Sequence, residues 1–416
     1  MVSGAGVVIA GAGLAGFQVG AALREMGYAG RIVMVGEEPY RPYHRPPLSK
    51  GFLLGTTDTG KLAMRPDSFY ADKKIEVLTG RQVVALDRGH HHVALDDDTV
   101  LAYEHFVFAV GARNRPLPVN GVRAHGVHYL RTLDEAHVLK QALATARNAV
   151  VIGAGFIGLE FAASAAKLGV NVTVFEVADR PMARALSRDM AAIFTREHLR
   201  SGVHFMFNTQ VLHFLTEGDH VSAVETVEHE RVPADIVLIG IGVQPNVEVA
   251  AAAGLDVRNG VVVNEFLQTS DPDVSAVGDC AAHPSAFAAG AWVRLESVQN
   301  ATDQGRCVAA RLTGKPTPYV NAPWFWSDQG DLKLQIAGLT AGCDQVVVRG
   351  DTGGTSCAAF CFKEGRLLGV ETVNRPGDHM TGRRLIGQRV ALTSAQAADE
   401  HFDLKGCLAR ATPATG

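Results

Sequence analysis

Twice in this chain an uncharged apolar run breaks into the same glycine spacing and then into a helix-like stretch. Residues 7–16 read VVIAGAGLAG, with glycines at Gly11, Gly13 and Gly16. Residues 149–158 read AVVIGAGFIG, with Gly153, Gly155 and Gly158. Between a buried strand and a helix, each glycine of G-x-G-x-x-G has its own task. The first permits the tight turn, the second lets a pyrophosphate approach the backbone, and the third lets the helix pack close to its strand. Each copy is followed by a second apolar run that closes on an acid, Glu37 in the first and Glu176 in the second. A carboxylate at that place can accept hydrogen bonds from a ribose 2′-hydroxyl. One such fingerprint is weak evidence; two in the same strand–turn–helix–strand–acid context point to two dinucleotide sites.

The chain's 416 residues suggest several domains. A hydrophobic content of 47% with 20% charge describes a globular protein with a sizeable core. The net charge of −4 gives no reason to expect nucleic acid. No apolar run approaches the ~18 residues that span a bilayer. The first residues lack a basic leader, and their apolar run feeds a glycine turn rather than a cleavage site. A cytoplasmic protein with no membrane or nucleic-acid partner is the expectation.

After the first βαβ unit comes EEPYRPYHRPPLSKGFL, a proline-rich and basic segment whose prolines would break any helix or central strand, so an ordered irregular loop or a short helix after it is expected. Tyr40, Tyr43 and Pro46-Pro47 give it the character of a rigid, ligand-facing wall. Residues 75–80, 82–87 and 91–101 alternate between polar turns and read as one small antiparallel meander. His90, His91 and His92 fall at a turn of it. Neighbours in a strand point to opposite faces, so the triplet is not read as a metal site, and no metal is expected elsewhere. Thr132 with Glu135 three residues on marks a capped helix, and residues 187–202 an amphipathic one. From about Pro323 the pattern changes to short alternating strands with glycine turns, followed by the basic helical TGRRLIGQRVAL, a third domain of α+β type. The cysteines are Cys280, Cys307, Cys343, Cys357, Cys361 and Cys407. Cys357 and Cys361 are expected on one face of a strand as reduced core residues.

Two dinucleotide sites in one chain are most simply FAD and a nicotinamide, with hydride passing to the flavin. Glu176 favours NADH, since it would repel a 2′-phosphate, although Arg180 and Arg184 follow closely.

The motifs GAGLAG, GEEPYRPYHRPPLSK, GAR, LRT, GAGFIGLE, GIGVQPN, GDCA, ESVQNA and FWSDQ run through nearly the whole chain. In them it resembles the oxygenase-coupled NADH-dependent ferredoxin reductases, the putidaredoxin reductase and biphenyl dioxygenase ferredoxin reductase type. The resemblance implies an α/β, glutathione-reductase-like fold with two Rossmann-type dinucleotide-binding domains and a C-terminal α+β domain. The FAD domain would be discontinuous over residues 1–115 and 245–320, the NADH domain would span 116–244, and the C-terminal domain 321–416. It further implies that Gly11, Gly13, Ala15 and Gly16 cradle the FAD pyrophosphate, with Glu37 on the adenosine ribose and Val83 meeting the adenine through its backbone. Lys50 and Arg131 would border the flavin and Arg45 would lie near the pyrophosphate or the flavin edge, with Asp279 on the ribityl chain and Val298 at the pyrimidine end of the ring. Gly153, Gly155, Gly158, Glu176 and Gly242 would hold NADH. Glu160 resembles the family glutamate that pairs with the lysine at Lys50, and Trp326 would lie where the C-terminal domain meets the flavin. An ammonium near the flavin would favour its anionic reduced form, and a carboxylate partner would offset the cost of burying that charge.

Thiol–disulfide members of this fold place cysteines just after the first acidic residue, and residues 38–55 contain none. Electrons are therefore expected to leave one at a time to an external 2Fe–2S ferredoxin serving a cytochrome P450 or a ring-hydroxylating oxygenase. Arg306, Arg311, Lys333, Arg383, Arg384 and Arg389 are candidates for a basic docking face for that ferredoxin. A monomer or weak homodimer is expected. Two other readings stay open on the residues alone, a redox-regulated flavoprotein of the apoptosis-inducing-factor type and a rubredoxin reductase.

Overall fold

The computed structural model describes residues 5–411. The chain divides into two compact units. One comprises residues 1–44, 59–113 and 243–323; the other comprises 45–58, 114–242 and 324–416.

The first unit is built on a five-stranded parallel sheet in the order Val274–Ala276, His105–Phe108, Gly6–Ala10, Arg31–Gly36, Ile75–Thr79. The Gly6–Ala10 strand is buried along its length, which is why its sequence is an unbroken apolar run rather than an alternating one. The glycine turn leads into helix Leu14–Glu25, which packs against helix Val298–Leu312. Gly305 allows the close crossing, since a Cβ there would lie 2.9 Å from Gln18 Cβ and 3.1 Å from the Val19 nitrogen.

The expected three-stranded meander over 75–101 is corrected here. Strand Ile75–Thr79 pairs in parallel with Arg31–Gly36 and closes the edge of the main sheet. Helix Asp67–Asp72 precedes it, and a crossover through a helix returns a strand parallel to its neighbour. The antiparallel sheet proper is Val83–Asp87, His92–Leu95 and Val100–Ala102. His90 and His91 sit in the turn of its first hairpin. His90 bonds Asp87 at 2.9 Å, and His91 stacks on Tyr103 with ring centroids 5.1 Å apart.

The second unit repeats the parallel design in the order Val203–Phe207, Asn171–Glu176, Asn148–Ile152, Ile236–Ile239, Val127–His128. Helix Leu133–Leu143 starts with the expected capping box between Thr132 and Glu135. The unit also carries an antiparallel sheet of five strands, Trp324–Gln329, Leu332–Gly338, Arg366–Val373, Ser356–Lys363 and Gln345–Asp351, in spatial order. Glu371 of this sheet is buried and accepts hydrogen bonds from the Ser187 backbone nitrogen at 3.1 Å and its hydroxyl at 2.7 Å. That contact fixes the start of helix Arg188–Arg200 to the sheet. All six cysteines are free thiols, and Cys357 and Cys361 are buried on strand Ser356–Lys363. No helix among the described residues is long and apolar enough to cross a membrane.

Candidate functional site: two glycine turns and a buried ion pair

The two glycine turns follow equivalent strands of their own sheets and have the same internal geometry. In each, the first glycine has a positive φ, +114° at Gly11 and +101° at Gly153. Its nitrogen donates to the neighbouring strand at 2.7 Å, Gly11 to Val35 and Gly153 to Phe175. A side chain on the third glycine would collide with the turn itself. A Cβ on Gly16 would lie 1.9 Å from the Gly11 oxygen, and one on Gly158 2.3 Å from the Gly153 oxygen. The middle glycine differs. A Cβ at Gly13 would meet nothing within 4 Å, and one at Gly155 only the Gly240 oxygen at 3.8 Å. The absence of a side chain there is therefore not needed for packing. It leaves an open approach to the helix N-terminus, where backbone N–H groups and the helix dipole favour an anion. By this test both turns fit the pyrophosphate of a dinucleotide.

The acids behave differently in the two units. Glu37 is exposed just beyond strand Arg31–Gly36. Glu176 is drawn onto its turn, accepting from the Ala154 nitrogen at 2.8 Å and the Ala178 nitrogen at 2.9 Å. Of the arginines that follow Glu176, Arg180 is held by Asp179 at 2.9 Å, and Arg188 approaches the same carboxylate at 2.7 Å. The two guanidiniums, Arg188 foremost, hold the Asp179 carboxyl below its usual range. Arg180 is thus already engaged with an acid, while Arg184 is exposed.

In the first unit the GDCA turn returns to the glycine turn. A Cβ on Gly278 would lie 2.9 Å from Ala15 Cβ, which places the Gly278–Asp279 turn against the start of helix Leu14–Glu25, at the C-terminal edge of the parallel strands. The Gly278 nitrogen donates to Gln304 Oε1 at 2.7 Å, and Gln304 Nε2 meets Nδ1 of buried His283 at 3.2 Å. Burial pushes the His283 imidazole down to about 4, so it is neutral and accepts at Nδ1. Val298 opens helix Val298–Leu312, whose Ser297 cap accepts from the Asn300 nitrogen. Val83 lies buried in the small antiparallel sheet.

In the second unit the structure joins residues far apart in sequence. Pro46–Ser49 form a 3-10 turn, and Lys50 follows it. Lys50 Nζ is 2.6 Å from Oε2 of Glu160, which lies on helix Phe156–Lys167. The glutamate is only 4% exposed and the lysine 20%, so the ammonium is the accessible end of the pair. Ser49 Oγ donates to the same carboxylate oxygen at 2.5 Å, and Ser327 Oγ donates to Oε1 at 2.7 Å. Every oxygen of this buried carboxylate is satisfied, as a buried charge requires. Arg45 donates to the Arg131 carbonyl oxygen, while the Arg131 nitrogen donates to Glu135 at 2.7 Å, so these two arginines are also adjacent.

Trp326 does not join that cluster. It stacks on Trp324 with centroids 5.5 Å apart, and Arg383 lies 5.1 Å over the Trp324 ring. Alternation along strand Trp324–Gln329 puts Ser327 and Gln329 on one face and Trp326 on the other. Ser49, Ser327, Gln329 and Gln304 are site-supporting residues that sequence reasoning missed. The signal for two of them was present, since Ser327 and Gln329 fall at strand period two in the polar end of the WFWSDQ strand. Of the candidate docking cations, Lys333, Arg383, Arg384 and Arg389 are exposed. Arg306 is paired with Glu25 at 2.9 Å. Arg311 is turned inward, donating to Ser275 Oγ at 2.5 Å and facing His105 Nε2 at 3.2 Å.

Comparison with known proteins agrees with this geometry. Residues 5–305 match the family model for pyridine nucleotide-disulphide oxidoreductases, and residues 324–408 match the reductase C-terminal model. The chain is 50% identical to rhodocoxin reductase of Rhodococcus erythropolis, over 97% of this chain and 94% of that protein. Among solved structures it resembles a ferredoxin reductase from Rhodopseudomonas palustris, with a TM-score of 0.94 and 48% identity over 97% of this chain and 99% of that one. It also resembles the covalent putidaredoxin reductase–putidaredoxin complex, with a TM-score of 0.95 and 41% identity over 98% and 99% of the two chains. With its two glycine turns, the parallel sheet of each unit and a further antiparallel sheet, the chain belongs to the pyridine nucleotide-disulphide oxidoreductase family and also carries a reductase C-terminal domain.

Proposed function

We propose that this protein is an FAD-dependent NADH:ferredoxin reductase that passes electrons singly to a 2Fe–2S ferredoxin, which in turn feeds a cytochrome P450 or a ring-hydroxylating oxygenase. The observation that carries the reading is the Lys50–Glu160 pair, a buried carboxylate that keeps a partly accessible ammonium fixed at 2.6 Å, in a chain with two open glycine turns. Two relatives support the electron acceptor: a ferredoxin reductase from Rhodopseudomonas palustris and a reductase solved in complex with putidaredoxin. The absence of cysteine from residues 38–55 argues against thiol–disulfide chemistry, whatever the family's name.

In this reading the discontinuous FAD domain (1–115 and 245–320), the NADH domain (116–244) and the C-terminal domain (321–416) divide the work. FAD supplies the chemistry, accepting hydride from NADH and giving up electrons one at a time. The protein's own residues bind, orient and balance charge. Gly11, Gly13, Ala15 and Gly16 receive the FAD pyrophosphate, Glu37 the ribose, Val83 the adenine, Asp279 the ribityl chain and Val298 the pyrimidine end. Lys50, with Arg45 and Arg131 nearby, offers positive charge to the ring, and Glu160 holds that lysine in place. Gly153, Gly155, Gly158 and Gly242 receive NADH, with Glu176 on its ribose. Trp326, stacked on Trp324, lines the electron exit, and the exposed Lys333, Arg383 and Arg384 receive an acidic ferredoxin. The enzyme works in the cytoplasm, where NADH is supplied, as a monomer or weak homodimer.

Anaerobic stopped flow with purified protein tests the reading. The protein should be yellow, bleach on mixing with NADH, and reoxidise when a 2Fe–2S ferredoxin is added. A colourless preparation that takes up no FAD would overturn it. Rapid bleaching without transfer to any ferredoxin would favour a regulatory flavoprotein.

A further inference from the structure

Behind Glu160 lies a line of buried polar groups with no counterpart in the roles assigned so far. Ser327 Oγ, fully buried, donates to Glu160 Oε1 at 2.7 Å. Gln329 Nε2 is 3.2 Å from Ser327 Oγ, and Gln329 Oε1 is 2.9 Å from His198 Nε2. Donor and acceptor chemistry fixes the direction of every bond. A carboxylate only accepts, so Ser327 spends its single proton on Glu160 and must accept from the Gln329 amide. The Gln329 oxygen then accepts, and His198 must carry its proton on Nε2. All three donors therefore point the same way, from His198 through Gln329 and Ser327 to the carboxylate. Aligned bonds in a low-dielectric interior polarise one another and strengthen the last one. Burial pushes the His198 imidazole down, against a smaller upward pull from its Gln329 bond, which suits a neutral ring in this role.

The residues come from three separate elements, helix Phe156–Lys167, strand Trp324–Gln329 and helix Arg188–Arg200, all in one unit. Gln329 Nε2 also meets Met182 Sδ at 3.5 Å, and the His198 ring stands edge-on to Phe205.

We propose that Ser327, backed by Gln329 and His198, is the positioning residue of the Lys50–Glu160 pair. By holding Oε1 from behind, it turns Oε2 toward Lys50 and keeps the ammonium aimed. The inference rests on the reading that this pair acts on the flavin.

The test compares Ser327→Thr with Ser327→Val in FAD-loaded protein. The two side chains have nearly the same volume and disturb packing alike, but only threonine keeps the hydroxyl. The limiting rate of flavin bleaching by NADH should be about tenfold lower in Ser327→Val than in Ser327→Thr, as the loss of one charge-assisted bond predicts. The apparent NADH dissociation constant should change by less than about threefold, since such a loss acts after binding. A second readout is the flavin midpoint potential from dye titration, which should be more negative in the valine variant. Gln329→Met should move both readouts in the same direction by less, and it carries the test should neither Ser327 variant fold. Equal rates and potentials for threonine and valine, or an unmoved Gln329→Met, would overturn the proposal. Glu160→Gln is the control: if it leaves flavin reduction unchanged, the fault lies with the catalytic reading of the pair and not with Ser327 alone.

Discussion

Lys50 and Glu160 stand 110 residues apart in the chain, and their charged atoms stand 2.6 Å apart in the fold. The glutamate is the buried partner and the lysine the accessible one, so the two substitutions that break the pair have different consequences. Lys50→Met leaves a buried carboxylate without its cation and should lower stability by about 3 kcal/mol. Glu160→Gln keeps the shape and should cost less stability. Both should slow flavin reduction by NADH by roughly 100-fold, the lower end of the range in which removal of a charge-stabilising donor falls. Urea unfolding followed by circular dichroism and anaerobic stopped flow separate the two effects.

The glycines make a contrast that packing alone decides. Gly16→Ala places a carbon 1.9 Å from the Gly11 oxygen and should sharply reduce soluble, folded protein. Gly13→Ala meets no protein atom within 4 Å, so the fold should survive while FAD affinity falls at least about tenfold through obstruction of the phosphate approach. The same pair of outcomes is expected at Gly158 and Gly155 with NADH in place of FAD. Thermal melts and cofactor titrations report the two independently.

In the proposed reading Glu176 has two tasks, holding its turn and binding the ribose, and a charge reversal removes both. Its carboxylate accepts from the Ala154 and Ala178 nitrogens, so Glu176→Arg loses the turn's own support as well as its place on the ribose. The ratio of kcat/KM for NADPH to that for NADH should rise at least about tenfold, with most of the change from loss of NADH use. Steady-state kinetics with the two nucleotides checks this; an unchanged ratio would remove Glu176 from the ribose.

Arg383 and Arg384 are exposed on helix Pro376–Gly387, with Arg383 lying over Trp324. Ferredoxin reduction should slow as salt is raised from low to physiological ionic strength, and Arg384→Glu should lower its kcat/KM by about tenfold while NADH oxidation by a small neutral acceptor stays constant. Arg311 serves as an internal control. Its guanidinium is spent on Ser275 and His105, so its loss should lower stability rather than change the salt dependence.

Two buried histidines of the first unit make the fold acid-sensitive. Burial, with the Arg311 charge adding to it, pushes His105 down to about 3, and burial pushes His283 down to about 4. The unfolded chain binds these protons from about 6.5 downward and the folded chain does not, so the stability they contribute is full above about 6.5 and is lost as pH falls toward the folded values. Melting temperature should decline between pH 6.5 and 4, and His283→Gln should flatten that decline. A slope unchanged by the substitution would show that His283 does not drive it.

The parallel sheets and glycine turns were legible because their signals are local: unbroken apolar runs, spaced glycines and terminal acids. Lys50, Glu160 and Asp279 were reached through resemblance, since nothing in the sequence around Lys50 names its partner. What escaped was non-local. Strand Ile75–Thr79 alternates like a meander strand, and only its crossover helix sends it to the parallel sheet. Ser327 lies 167 residues from the carboxylate it supports, and a buried serine looks like any other until its partner is in place. Arg311 carries the same charge as an exposed arginine, and only its hydrogen bonds reveal that it is structural.

The matched geometry of the two turns separates holding a dinucleotide from choosing one. Gly11–Gly16 and Gly153–Gly158 share a positive φ at the first glycine, the same kind of strand anchor and an open middle position. On the proposed reading, whatever distinguishes one nucleotide from the other lies outside them, in the exposed Glu37 on one side and in Glu176 with the Asp179-bound Arg180 on the other. Cofactor preference in this protein can drift, or be redesigned, through a handful of residues after each second strand, while the machinery that grips phosphate stays untouched.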